Sequence, residues 1–408
     1  MKLETARGRN GSDFAEVSRA LEELEAALGD TPDLVLLHGA ERSNPRGLVE
    51  LVRARWPHAR LHGGSTSMGV MTRGHFEPDP ASFGLLGLVD RAGAYGTGTA
   101  TLGDDPRAEV KLAVGRALEQ AGRPGELPAF VLITAPPGRE EDLLLGIADV
   151  VGDDVPVAGG SAGDEAVTGK WWQAGQGSVG TNLVVVTVMF PSGVVVSTFH
   201  GGYEVSSRSG KITRATGRQL HEIDGRPAAQ VYDEWTDGAI ADIVATGGKI
   251  AQRTSALHPL GRRAGGAGGV VEHVLSFIDT ALPDGTLTLF TEVRTGEPVW
   301  AMQGTDDILV GRAGRVARAA LEELAQESTH PRVRGALVCF CAASAVSVRD
   351  RLSEVVAGLD VTLRELPYLG IFTFGEQGRF LAGGNRHGNM MISVVLFVEG
   401  SADGAAKA

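Results

Sequence analysis

The chain has 408 residues, 43% of them apolar, which is enough for a large core and for two or three domains. Acidic residues outnumber basic ones 50 to 38, a balance that argues against a nucleic-acid groove or an anionic membrane surface as the main partner. No apolar run reaches the roughly 20 residues of a membrane span. The first residues, MKLETARGRNGSDF, hold no apolar signal-peptide core, and two cysteines cannot make a disulfide framework. The expectation is a soluble protein of a reducing cytoplasm.

In chain order, Ser12 can cap a helix whose apolar face is Phe14, Val17, Leu21, Leu24 and Leu28, at alternating spacings of three and four. Leu34 to Leu37 reads as a short buried strand and Leu48 to Trp56 as a helix, and Arg60-Leu-His leads into Gly63-Gly-Ser-Thr66. Phe83 to Val89 and Tyr95 to Thr101 read as the strands of a hairpin around Arg91-Ala-Gly93. The pattern then restarts. Asp105 with Pro106 is a strong helix start, Phe130 to Ile133 is a strand, Glu140 to Val150 a helix, and Val157-Ala leads into Gly159-Gly-Ser-Ala162. Leu34–Ser67 and Phe130–Gly163 align without a gap at a shift of 96, which reads as an internal duplication.

Leu183–Phe190 and Val194–His200 read as the next hairpin, and residues 211 to 231 as a linker-like region. The stretch Gly261–Gly269, GRRAGGAGG, is the most linker-like of all. A third, looser copy reads as the hairpin Thr286–Val293 with Val299–Gln303, a helix from Thr305, the strand Ala336–Phe340, the helix Val348–Leu359 and the strand that opens Tyr368–Gly378. The fold class that follows is α/β, with repeated hairpin-helix-strand-helix-strand units forming mixed sheets, helices packed on them, and two domains, 1–232 and 233–408.

Gly63-Gly-Ser-Thr66 and Gly159-Gly-Ser-Ala-Gly-Asp164 each end a strand, where ligands of α/β proteins bind. Close glycine packing at a strand-turn junction is the plain alternative. Neither loop has the spacing of a dinucleotide fingerprint or the Lys-Ser/Thr of a P-loop. The C-terminal stretch turns abruptly polar after Phe374: Glu376, Gln377, Asn385, Arg386, His387 and Asn389 crowd among glycines before the apolar strand Met390–Phe397. Placing Gly375-Glu376 at the same point of the third copy gathers one candidate ligand site from Gly64, Ser65, Thr66, Gly160, Ser161, Asp164, Glu376, Asn385 and His387. Glu376, Asp164 and Cys341 are the candidate catalytic residues of the alternative, an enzyme on the same scaffold. Cys339 and Cys341 alternate on one strand and read as two free structural thiols. No Cys-x-x-Cys or histidine spacing supports a metal, and no nucleophile elbow supports a hydrolase. Trp171 and Trp172 are adjacent, so only one can be core while the other walls a pocket or an interface.

The chain resembles the FIST proteins. The resemblance rests on Gly63-Gly-Ser65, Gly159–Asp164, Phe199-His-Gly201, Lys211-Ile-Thr213 with Glu222-Ile-Asp-Gly225, His258-Pro-Leu-Gly261, Gly335–Cys341 and Gly370–Glu376, and it covers roughly residues 30 to 398. It implies an N-terminal and a C-terminal FIST domain and a sensory, ligand-binding role in intracellular signal transduction. It also implies a separate signalling partner, such as a kinase or a cyclic-nucleotide enzyme. One branch of the family binds haem and responds to nitric oxide, for which His200 is the candidate axial ligand here. The family's cysteine is commonly followed by a glycine and an arginine, whereas Cys341 is followed by Ala342-Ala-Ser344.

Overall fold

A computed structural model describes residues 1–266, 271–327, 331–380 and 383–400. The chain builds mixed sheets with helices packed on them, as expected. Three sheets have six strands each and share one plan. The first pairs Lys2–Gly8, Phe83–Val89, Leu34–Gly39, Arg60–Ser65, Gln173–Gly175 and Ser178–Gly180, in that order across the sheet. The second runs Ala94–Thr101, Leu183–Phe190, Phe130–Ala135, Val157–Ser161, Glu376–Phe380 and Gly384–Gly388. The third runs Val194–His200, Ile392–Glu399, Arg332–Cys341, Tyr368–Thr373, Val70–Thr72 and His75–Glu77. In each, the third and fourth strands are a parallel pair and all other neighbours are antiparallel.

The last two strands of every sheet come from a different unit. The hairpin after Arg60–Ser65 completes the third sheet, the hairpin after Val157–Ser161 completes the first, and the hairpin after Tyr368–Thr373 completes the second. The three units are thus laced in a cycle. Each sheet is hydrophobic on both faces. Outward, Val35, Leu37 and Leu61 pack with helices Phe14–Leu28 and Pro45–Arg55. Val131 and Ile133 pack likewise with Pro106–Ala121 and Glu140–Val151, and Phe340 and Val394 with Asp306–Glu327 and Leu352–Leu363. Inward, Leu34, Leu36, Phe130, Leu132, Leu337, Cys339 and Ile371 meet in a single cluster drawn from all three sheets. Fully burying one such aliphatic side chain is worth about 1.5–3 kcal/mol, so this shared core holds the sheets together.

Local signals set the helix ends. Asp13, not Ser12, caps the first helix, accepting from the Ala15 and Glu16 amides, and Gly29 closes it at φ 71°. Asp105 caps the third with Pro106 behind it, as expected.

Several expected connections are corrected. Phe83–Val89 and Ala94–Thr101 are strands but not a hairpin, since the first pairs with Lys2–Gly8 and Leu34–Gly39 and the second with Leu183–Phe190. Leu183–Phe190 and Val194–His200 likewise enter different sheets. At both places a short turn carries the chain around a corner, because each strand buries its inner face better against the shared core than against its sequence neighbour. Leu287–Leu289 and Pro298–Gln303 do not pair with each other either. The first strand of the third unit is instead Val194–His200, and residues 201–305 are an insertion before the helix Asp306–Glu327. The linker-like region is structured. Glu204–Thr216 and Gln219–Ile223 are strands that bury Ile212, Leu220 and Ile223 in a nine-stranded sheet. Leu260–Gly265, inside the glycine-rich stretch, pairs with Glu272–Ser276, and positions 267–269 of that stretch lie outside the described residues.

Candidate functional site

The parallel strands of the three units end at Ser65, Ser161 and Thr373, and the loops beyond them are joined in a ring of backbone hydrogen bonds. The Gly163 amide donates to the Ser65 carbonyl at 3.3 Å, the Phe374 amide to Ser161 at 3.0 Å, and the Ser67 amide to Phe372 at 3.0 Å. Each loop therefore closes on the strand end of another unit. Gly160 and Gly163 permit this approach. A Cβ on Gly160 would lie 2.3 Å from Thr373 Cγ2, and one on Gly163 would lie 3.1 Å from both the Phe374 ring and Ser67 Cβ.

Most expected site residues meet at this ring. Ser65 Oγ accepts the Trp172 amide at 3.0 Å. Thr66 Oγ1 donates to the Gly69 carbonyl and accepts the Phe372 amide. Ser67 donates to the Asp164 carbonyl. Asp164 Oδ2 accepts the amides of Thr168 and Lys170, both at 2.8 Å, which folds the loop between them, while its buried Oδ1 has no hydrogen-bond partner among the described residues. Gly64 faces Thr134 Cγ2 and Ala162 Cβ and serves packing.

Glu376 does not stand at the strand end. Thr373 does, and Glu376 starts the following hairpin, opposite Gly160. Its Oε1 accepts from the Thr373 hydroxyl at 2.7 Å and its Oε2 from the Met391 amide at 3.0 Å. Burial pushes its pKa up to about 8, against the opposing pull of these two bonds and of Arg312. Burial therefore favours its neutral form, which offers a cationic ligand less negative charge than an exposed carboxylate would.

Asn385 is apart from the ring. Its side chain accepts the Val157 amide and donates to the Val155 carbonyl, at the opposite end of the strand from Ser161. His387 is buried on the hairpin strand, 3.2 Å from the Phe290 carbonyl and 3.9 Å from Glu140 Oε2. Instead of a solvated tip, Glu376, Gln377, His387 and Asn389 are all at most 5% exposed, because a neighbouring unit covers them.

Two charged networks escaped the sequence reading. Glu140 is buried at the start of its helix, where Ser161 donates to it at 2.8 Å. One nitrogen of Arg218, from the supposed linker, lies 2.6 Å from both Glu140 Oε2 and Glu141 Oε2. Burial alone would raise the pKa of Glu140, but His387, Arg218 and the Ser161 hydroxyl outweigh it and hold it at about 2. Glu140, Glu141 and His387 lie close enough to chelate a metal ion, yet Arg218 already supplies the cation between the two carboxylates. The second network centres on Arg312, fully buried. It donates to the carbonyls of Gly201 and Met390 and to Ser344 Oγ, and lies over the rings of Tyr203 and Phe340 at 5.2 and 5.0 Å. A sequence reading has no signal for either, because both arginines meet partners far off in the chain, 77 and 78 positions away for Arg218 and 32 to 111 for Arg312.

Cys339 and Cys341 are free and buried. They part company in the core: Cys339 packs inward with Leu337, while Cys341 ends the strand and turns towards Met390, whose amide it accepts at 3.3 Å. Burial pushes the Cys341 thiol up to about 12, with Glu376 nearby adding to the effect. His200 is exposed, its Nδ1 accepts the Gly202 amide at 2.8 Å, and the charged groups facing it are Arg315 and Arg312. These cationic neighbours do not make the apolar slot that a haem plane needs, so the surroundings of His200 do not fit a haem.

Beside the ring lies a cleft of about 300 Å³, lined by Leu102, Pro106, Pro136, Pro137, Arg139 and Trp171, with Gly103, Gly169, Thr181 and Asn182 between them. Trp172 is the core member of the tryptophan pair, 3% exposed. Trp171 is the wall: its Nε1 donates to the Thr181 carbonyl at 3.1 Å and its ring meets Phe374 edge-on at 6.2 Å. Asp164 holds the residues flanking Gly169, so the ring and the cleft are one assembly.

Comparison with known proteins matches the FIST N domain over residues 33–226 and the FIST C domain over 228–379. An uncharacterised protein of Methanocaldococcus jannaschii is 32% identical over 90 residues, which are 22% of this chain and 18% of that one. The cyanuric acid hydrolase of A. caulinodans aligns over 97% of both chains at 13% identity and a TM-score of 0.35. A second cyanuric acid hydrolase structure aligns over 97% of this chain and 99% of its own at 12% and 0.36. Scores this low carry no argument about function. No helix among the described residues is long and apolar enough to cross a membrane.

Proposed function

The chain belongs to the FIST family, with both its N and its C domain, and we propose that it is a small-molecule sensory protein of intracellular signalling whose ligand sits in the cleft walled by Trp171. FIST domains are generally small-ligand sensory domains in signalling. What carries the reading for this chain is the joining of cleft and ring. Trp171 contacts Phe374, whose amide closes the ring on Ser161, so a ligand against the indole touches the junction of the units. Ser65, Thr66, Ser161 and Asp164 then position the walls of the site. Their polar atoms are largely taken up, by backbone partners for Ser65, Thr66 and Asp164 and by the Glu140 carboxylate for Ser161. We read the first two units as an internal duplication, the family domains as dividing near residue 232, and the output as a separate signalling protein in the cytoplasm.

The test is a thermal-shift screen of metabolites, nucleotides and amino acids on the parent and on Trp171→Ala. A ligand at a hundred times its Kd stabilises the protein that binds it by about 2.7 kcal/mol. The shift should shrink strongly in the variant. A ligand that stabilises both proteins equally binds elsewhere and sinks the assignment.

A further inference from the structure

We infer that the cleft takes an anionic compound with a single flat apolar body, such as an aromatic carboxylate. The inference rests on the cleft being the sensory site. Of its ten lining residues, Arg139 alone carries a charged side chain. The remaining side chains are the Trp171 indole, three prolines, Leu102, Thr181 and Asn182. The indole is held by its bond to the Thr181 carbonyl, and Asn182 is held by its own bond to the Leu102 carbonyl at 2.6 Å. The walls are therefore preset, and a flat ring can stack on the indole without ordering new side chains. At about 300 Å³ the cleft is at the lower limit of small-molecule sites, roughly 300–1,000 Å³, which suits one ring or a fused pair.

The charge argument centres on Arg139. It precedes the helix Glu140–Val151, whose first turn carries Glu140, Glu141 and Asp142, so the positive charge offered to a ligand comes from the guanidinium and not from the helix start. The group facing Arg139 from its own helix is Asp142, which accepts from its Nε at 2.8 Å. Asp105, next in the chain to the lining Pro106, is already used as a helix cap, bonded to the Ala108 amide at 3.0 Å. A ligand carboxylate thus competes with the half-buried Asp142 for the guanidinium, across a pair that is worth little in water, while Glu140 and Glu141 are already paired with Arg218. A cationic ligand would find no carboxylate among the lining residues.

The experiment is calorimetric titration with indole-3-acetate and its neutral analogue indole-3-acetamide, with Trp171→Phe used to assign the fluorescence quench to the cleft. The acetate should bind the parent at least about tenfold more tightly than the amide, in keeping with a charge-assisted bond to arginine. Arg139→Gln should erase that preference while melting at the parent's temperature, since Arg139 is exposed. Asp142→Asn should strengthen acetate binding several-fold at low salt and leave the amide unchanged. Equal binding of the two compounds, or a preference that survives Arg139→Gln, overturns the anionic class. A neutral or cationic screening hit that still needs Trp171 would overturn it too, while leaving the sensory reading in place. If neither compound quenches Trp171, the inference falls outright.

Discussion

Thr373 and Glu376 stand three residues apart on either side of a turn, and the threonine hydroxyl donates to the carboxyl at 2.7 Å. Ser161 makes the same kind of bond to Glu140 at 2.8 Å. The two acids nevertheless end in opposite states. Glu140 has His387 at 3.9 Å and Arg218 in contact and stays ionised, with its pKa held at about 2. Glu376 has no cation in contact among the described residues, and burial raises it to about 8. The positive groups beside Glu140, His387 and Arg218, rather than depth or the hydroxyl, decide which carboxyl keeps its charge.

This difference predicts a pH dependence. The folded protein holds the Glu376 proton more tightly than the unfolded chain does. Its contribution is fully present below about pH 4.5 and is lost as pH rises towards 8. The slope is at most about 1.4 kcal/mol per pH unit. In Glu376→Gln the amide oxygen can still accept from the Met391 amide, with the Thr373 hydroxyl reversing to accept from the side-chain nitrogen; the titration is gone, so the variant's urea-unfolding free energy should be flatter between pH 5 and 8 than the parent's. Identical slopes would mean that Glu376 titrates normally.

Arg218→Ala should cost about 3 kcal/mol at pH 7, because it leaves two carboxylates at the start of one helix without their cation. Glu140 acts with the opposite sign to Glu376. Its depressed pKa gives stability that is present above about pH 4.5 and lost as pH falls towards 2. The gap between Arg218→Ala and the parent should therefore narrow from pH 7 to pH 3. A gap that stays constant on acidification would show that Arg218 acts by packing alone.

Both cysteines should be silent towards a thiol reagent in the native protein and react fully once it unfolds, since each is at most 2% exposed and burial raises both thiols. Fast labelling of the folded protein at pH 8 would rule out the enclosed position of Cys341, and it is also the result a catalytic thiol requires.

Gly160→Ala should destabilise the protein by about 1–3 kcal/mol, because the new methyl would press on Thr373 across the unit boundary. Adding Thr373→Ser removes the nearest atom, Cγ2, and should recover part of the loss while keeping the hydroxyl bonded to Glu376. If the double variant is no more stable than Gly160→Ala, the contact between the second and third units is not where the structure puts it.

Most of the local structure was legible from residues alone. The apolar strands Leu34–Gly39, Phe130–Ala135 and Tyr368–Thr373, the Asp105-Pro106 helix start, and glycine-serine loops at strand ends all follow from short-range rules of burial, capping and turn geometry. The polar strand Lys2–Gly8 was not legible, because its charged residues hide an edge strand that still buries Leu3 and Ala6.

Pairing was decided at longer range. A short turn brings two strand ends near each other but does not choose their partners. Phe83–Val89 and Ala94–Thr101 separate into two sheets because the shared core fills only when each sheet takes strands, and then a hairpin, from other units. The same lacing moves Glu376 opposite Gly160, sends Asn385 away from the ring and brings Arg218 from an apparent linker onto Glu140. Residue types and their spacing carry the elements and the strand-end loops. Which loops meet, and which carboxyl stays charged, depends on contacts between residues tens to hundreds of positions apart, where burial and Coulomb energy act through space and leave no periodic trace in the chain.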